Sequence, residues 1–150
     1  MLEQNPQLLS KVFASVFLHM KEDRDGRHSH KKSGSTTWSR LASDLNEIGL
    51  TKAQTDSLVN WSLTQADQSR KTPAKLRILH PMEREFISVE AFDYLLVLYR
   101  LGLLDPAQLE NLLESCAYLT NLPATRDQVR KIVLKMFSEV LDSAGMGSSH

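Results

Sequence analysis

Residues 99–110, YRLGLLDPAQLE, hold a complete helix ending and a complete helix beginning with almost nothing between them, and residues 46–57, NEIGLTKAQTDS, repeat the arrangement. In both, a glycine (Gly49, Gly102) follows a single apolar residue (Ile48, Leu101), a leucine comes next, and a capping residue (Thr51, Asp105) precedes an Ala-Gln pair. Glycine there takes the left-handed conformation that lets a helix satisfy its last carbonyls, while Thr or Asp supplies an acceptor for the first amides of the next helix. These corners commit the chain to helices joined tightly end to end. The plain reading is two αα-hairpins. The sharper reading is a helix-turn-helix-like element at 38–66, whose second helix offers Lys52, Gln54, Thr55, Ser57, Asn60 and Gln65 to bases or phosphates. That helix has one lysine, no arginine and Asp56 near its start, which disfavours direct reading of a major groove.

Between the corners the apolar residues recur at helical spacing. Asn5 and Pro6 open a helix with the stripe Leu9, Val12, Phe13, Val16, Phe17 and Met20, and the spacing places Gln7, Lys11, Ser15 and His19 on its other face. Periodicity then stops, and residues 21–37, KEDRDGRHSHKKSGSTT, read as an exposed, mobile loop. A helix carrying Trp38, Leu41, Leu45 and Ile48 leads to the first corner, and Ala53, Leu58, Trp61 and Leu63 follow it. The run at 76–80 suits an isolated strand or wing-like extension, and Pro81 starts a one-turn helix through Ile87. Ser88 caps a helix so apolar from Phe92 to Leu101 that it is expected at the centre, contacted on most sides. Asp105 and Pro106 start a helix with the stripe Leu109, Leu112, Leu113, Cys116 and Leu119. Thr125 opens the last one, with Val129, Ile132, Val133, Met136, Phe137, Val140 and Leu141. The expected fold is all-α, a compact bundle of about six helices forming one domain over 1–144, with 145–150 a disordered tail or cloning remnant.

Composition narrows the class. Eighteen Lys and Arg balance eighteen Asp and Glu among 150 residues, so the net charge is zero and any nucleic-acid role needs a local patch. One cysteine forms no internal disulfide and suits a reducing compartment. The amino terminus lacks the pattern of a signal peptide, and no apolar run approaches the ~20 residues of a membrane span. The expectation is a cytoplasmic protein without membrane contact.

The order of three segments carries a resemblance. LASDLNEIGLTKAQTDSLVNW, LRILHPMEREFISVEAFDYLLVLYRLGLLDPAQLENLLESC and DQVRKIVLKMFSEVL together resemble the bacterial Smg family over roughly residues 8–141. The resemblance implies a small helical cytoplasmic protein of uncharacterised function, often encoded beside a DNA-processing protein, and supplies no catalytic residues. The loop after the first helix, acidic in relatives, here reads RDGRHSHKK.

Candidate sites follow from charge and chemistry. Arg24, Arg27, Lys31 and Lys32 make the loop at 24–32 locally basic, and Arg126, Arg130, Lys131 and Lys135 form a second basic face opposite the last apolar stripe. Both are candidate contacts for nucleic acid or an acidic partner, and both also suit ordinary solvated surface. His28 and His30 with Asp23 and Asp25 have competent metal-ligand chemistry, but glycines flank them and nothing fixes a geometry. Cys116 sits on an apolar stripe and reads as an inert core thiol; no histidine shares its segment, so a cysteine–histidine nucleophile would need His80 to arrive from elsewhere. Trp38 and Trp61 suit packing better than base stacking. Phosphate loops, zinc-protease motifs, paired-cysteine motifs and nucleophile elbows do not occur in the sequence. No cofactor or metal is expected. The functional expectation is a non-catalytic adaptor that binds another macromolecule. The alternative is a nucleic-acid-binding accessory protein using the basic loop 24–32 and the element at 38–66.

Overall fold

A computed structural model describes residues 5–26, 34–71, 77–119 and 122–143. They form six α-helices: α1 (Pro6–Gly26), α2 (Gly34–Ile48), α3 (Lys52–Lys71), α4 (Val89–Leu101), α5 (Pro106–Cys116) and α6 (Arg126–Ser143), with a 3-10 turn at Glu83–Glu85 before α4. The all-α expectation holds. Among the described residues there is no strand, only a parallel bridge between Ile87 and Ala124. The chain divides into two compact units, one of residues 1–67 and 134–150, the other of residues 68–133.

In the first unit α1 packs along α2. The α1 stripe of Leu9, Val12, Phe13, Val16 and Met20 is buried, with Trp38, Leu41 and Leu45 from α2 and Leu58 and Ala66 from α3. Phe137 of α6 stands edge-on to Phe13, 5.0 Å between centroids, and to Trp61, 5.8 Å away. Trp61 is therefore a packing residue, as Trp38 is by its burial. In the second unit the core consists of Ala91, Phe92, Leu95, Leu98 and Leu101 of α4, Leu109, Leu112, Leu113 and Cys116 of α5, and Val129 and Val133 of α6. Leu79, Ile87, Leu103, Leu104 and Ala124 close it from the connections.

Both corners form as the residues dictate. Gly49 has φ +119° and Gly102 φ +89°. The Leu50 amide reaches back to the Leu45 carbonyl at 3.1 Å, and the Leu103 amide to the Leu98 carbonyl at 2.9 Å. Thr51 and Gln54 then exchange side-chain–backbone hydrogen bonds of 3.2 and 3.0 Å, and Asp105 and Gln108 exchange bonds of 2.7 and 2.9 Å. A third such exchange, which the sequence comparison of the two corners does not reveal, opens α6: Thr125 accepts from the Gln128 amide at 3.3 Å and returns its own amide to Gln128 at 2.9 Å. Each is a capping box, satisfying two amides that a helix start leaves bare.

The structure departs from the sequence reading at several places. Residues 21–26 continue α1 and 34–37 already belong to α2, so helix invades both ends of the stretch read as loop; 27–33 lie outside the described residues, as do 145–150. The α3 helix runs to Lys71, past the end read at 66. Residues 77–80 form no strand or wing, because the Glu83 carboxylate takes the His80 amide at 3.0 Å and the Arg77 guanidinium, replacing the partner a strand would need. The Pro81 turn shortens to the 3-10 turn at Glu83–Glu85. His19 turns inward rather than outward and is 4 % exposed. In α4 a single stripe is buried, while Leu96, Val97 and Tyr99 stay half-buried and Val89 exposed. Four consecutive apolar residues at 100° steps cannot share one face.

Gly49 has open space around the position a Cβ would take, so its requirement is purely conformational. Gly49→Ala is expected to lower stability by about 1 kcal/mol, read as a lower urea midpoint at unchanged slope. An undiminished midpoint would show that the corner does not need the left-handed backbone.

Candidate functional site

The basic face of α6 is the best-placed candidate surface. Arg126, Arg130, Lys131 and Lys135 are all exposed, four cations against the single acid Asp127 over residues 126–135. The helix presents them because Val129, Val133, Phe137 and Leu141 are drawn inward at helical spacing. Among the described residues Arg126, Lys131 and Lys135 enter no ion pair. Arg126 instead lies over the Tyr94 ring, 5.3 Å from its centroid. Burial pushes the Tyr94 phenol upward, while the positive charges of Arg130 and then Arg126 pull it back. The sequence gives no sign of this partner, since Tyr94 lies off the α4 stripe and nothing local links it to residue 126.

The other basic candidate is only partly visible. Arg24 is exposed in the last turn of α1, and Arg27, Lys31 and Lys32 lie outside the described residues. So do His28 and His30; of their proposed companions, Asp23 is buried and Asp25 exposed. No group of three or more His, Cys, Asp or Glu side chains among the described residues is placed to hold a metal ion.

The recognition-helix residues divide. Thr55 is buried and donates to the Asn46 Oδ1 at 2.9 Å, tying α3 to the end of α2. Gln54 is engaged in its cap, Gln65 is half-buried, and Lys52, Ser57 and Asn60 are exposed.

Two internal polar arrangements were not legible in the sequence. His19 sits between two acceptors: its Nδ1 is 2.7 Å from the Ser15 carbonyl oxygen, and its Nε2 is 3.1 Å from Asp44 Oδ2 on α2. In the second unit the Arg77 guanidinium spans two carboxylates, Glu83 at 2.7 and 3.0 Å and Glu110 of α5 at 2.9 and 3.3 Å. These hydrogen bonds, led by Glu83, raise Arg77 above its ordinary value. The guanidinium, with the His80 amide assisting, outweighs burial and holds Glu83 below its own. Glu83 is thus held in this clamp, while Glu85, two residues on, is exposed.

Cys116 has no exposed surface, and burial alone raises its thiol. His80 is exposed. No helix of the described residues is long and apolar enough to cross a membrane.

The class these observations define is an all-helical protein with an exposed cationic helix face. Residues 28–144 match the model of a family described as a protein of unknown function, DUF494, and the chain belongs to that family. No curated protein and no solved structure matches it.

Two outcomes are expected. Glu83 is depressed in the folded state, so its contribution is present above the ordinary glutamate value of 4.5 and is lost as pH falls through the lower folded value. Arg77→Gln should flatten that acid limb, by less than about 1 kcal/mol because water screens the pair, in urea titrations at neutral and acid pH. Cys116 should react slowly with a thiol reagent in the native protein and rapidly in urea; fast native modification would contradict its burial.

Proposed function

We propose that this chain is a non-catalytic adaptor of the Smg type that works in the cytoplasm by binding another macromolecule through the cationic face of α6. The observation that carries the reading is the state of the charges there. His19 with Asp44, Thr55 with Asn46 and Arg77 with Glu83 and Glu110 are paired within the fold, whereas Arg126, Lys131 and Lys135 are exposed within ten residues of one helix and have no ion pair among the described residues. The Smg resemblance overlaps the family match over residues 28–141 and supports a small helical protein of this kind. A single buried cysteine suits a reducing compartment.

The test is crosslinking and mass spectrometry in the native cell, comparing the parent with a variant carrying Arg126→Gln, Arg130→Gln, Lys131→Gln and Lys135→Gln. Because all four side chains are exposed, the variant should fold with stability within about 0.5 kcal/mol per substitution. It is expected to lose the principal crosslinked macromolecule. Retention of the same crosslinks by the folded variant, or turnover of a metabolite by the purified parent, would overturn the reading.

A further inference from the structure

We propose that residues 77–82 form a hinged strap on the second unit, latched to α5 by the Arg77–Glu110 ion pair, and that the strap opens as one piece while α4 and α5 stay folded.

The strap is held in shape from within. Arg77 donates to the Glu83 carboxylate at 2.7 and 3.0 Å and to the Ile78 carbonyl at 2.7 Å. Glu83 accepts from the His80 amide at 3.0 Å, and the His80 carbonyl accepts from the amides of Glu83 at 2.9 Å and Arg84 at 3.3 Å. Among the described residues, the backbone-to-backbone hydrogen bonds of 78–85 all find their partners within 80–87. None of these bonds requires the strap to lie against the helices. The two carboxylates that grip Arg77 therefore do different work: Glu83 shapes the strap, and Glu110 ties it down.

Little else ties it down. Of residues 78–82 only Leu79 is buried; Ile78 and Met82 are 69 % and 75 % exposed, and His80 and Pro81 are exposed too. Among the described residues the one polar tie from the strap to the helices is Arg77 to Glu110, at 2.9 and 3.3 Å, and the Glu110 side chain is 57 % exposed. Water and salt screen such a pair.

The segment that follows is fastened by contrast. Ile87 is 1 % exposed, the Ala124 amide donates to the Phe86 carbonyl at 2.7 Å, and the Ser88 amide donates to the Ala124 carbonyl at 3.0 Å. A piece of chain with one buried side chain and one solvent-facing ion pair, joined to a fixed point, is the part of a fold that opens at least cost. Residues 86–88 are that fixed point. Opening bares Leu79 and the surface it covers.

The full chain carrying Leu79→Cys tests the strap, with the fully buried Cys116 as the internal reference for unfolding. Alkylation by iodoacetamide, followed at each thiol by mass spectrometry, should modify position 79 well before Cys116. Adding Glu110→Gln should speed modification at position 79 about two- to fivefold, the range expected for an exposed pair, and leave Cys116 unchanged. Sodium chloride should speed it while Glu110 is present and have no such effect in Glu110→Gln. Trypsin cleavage after Arg84, at the foot of the strap, should respond to Glu110→Gln in the same direction in a chain that keeps Leu79. If Leu79→Cys loosens the whole unit, Cys116 reacts quickly as well and the trypsin comparison decides. Equally slow modification of the two thiols, or rates of alkylation and cleavage unmoved by Glu110→Gln, would overturn the strap and show that these residues open only with the whole unit.

Discussion

Each helix must dispose of bare amides at its start and bare carbonyls at its end, and the way this chain does so determines its corners. Thr51 with Gln54, Asp105 with Gln108 and Thr125 with Gln128 perform the same reciprocal exchange at the openings of α3, α5 and α6. Asn5 and Ser88 provide simpler caps for α1 and α4. A cap contributes about 0.5–2 kcal/mol, modest beside the burial of a whole apolar stripe, but it decides at which residue the helix begins. The spacing of the apolar residues then sets which side chains point inward, and so where the core forms.

Onto this frame two polar arrangements are added that stabilise by avoiding loss rather than by adding attraction. A buried polar group left without a partner costs about 1–3 kcal/mol. The Ser15 carbonyl and the Asp44 carboxylate meet His19 from either side, and Asn46 meets Thr55. The Arg77 clamp is closer to solvent, and its value is geometric. By binding both Glu83 and Glu110 it ties the segment before α4 to α5, and Glu83 also takes the His80 amide.

The surface shows the complementary economy. Charges near the core are spent on the fold, while the cations of α6 project outward, and one of them is oriented by an aromatic ring rather than neutralised by an acid. A cation held in this way keeps its hydrogen-bonding capacity for an external group. This is the physical basis for reading α6 as a contact face.

Helix order, both glycine corners and most of the apolar stripes were determined by the sequence alone, because capping chemistry and helical period act over a few residues and leave local signatures. The cationic face of α6 was legible for the same reason: Arg126, Arg130, Lys131 and Lys135 follow from the positions of Val129, Val133 and Phe137. Only tertiary structure decided that His19 faces inward, that α1 and α2 extend into the polar stretch between them, that residues 77–80 are clamped rather than paired as a strand, and that Tyr94 lies beneath Arg126. Three of these depend on groups far apart in the chain: Asp44 for His19, Glu110 for Arg77, Arg126 for Tyr94. Distance along the chain carries no record of such meetings; only packing brings them about.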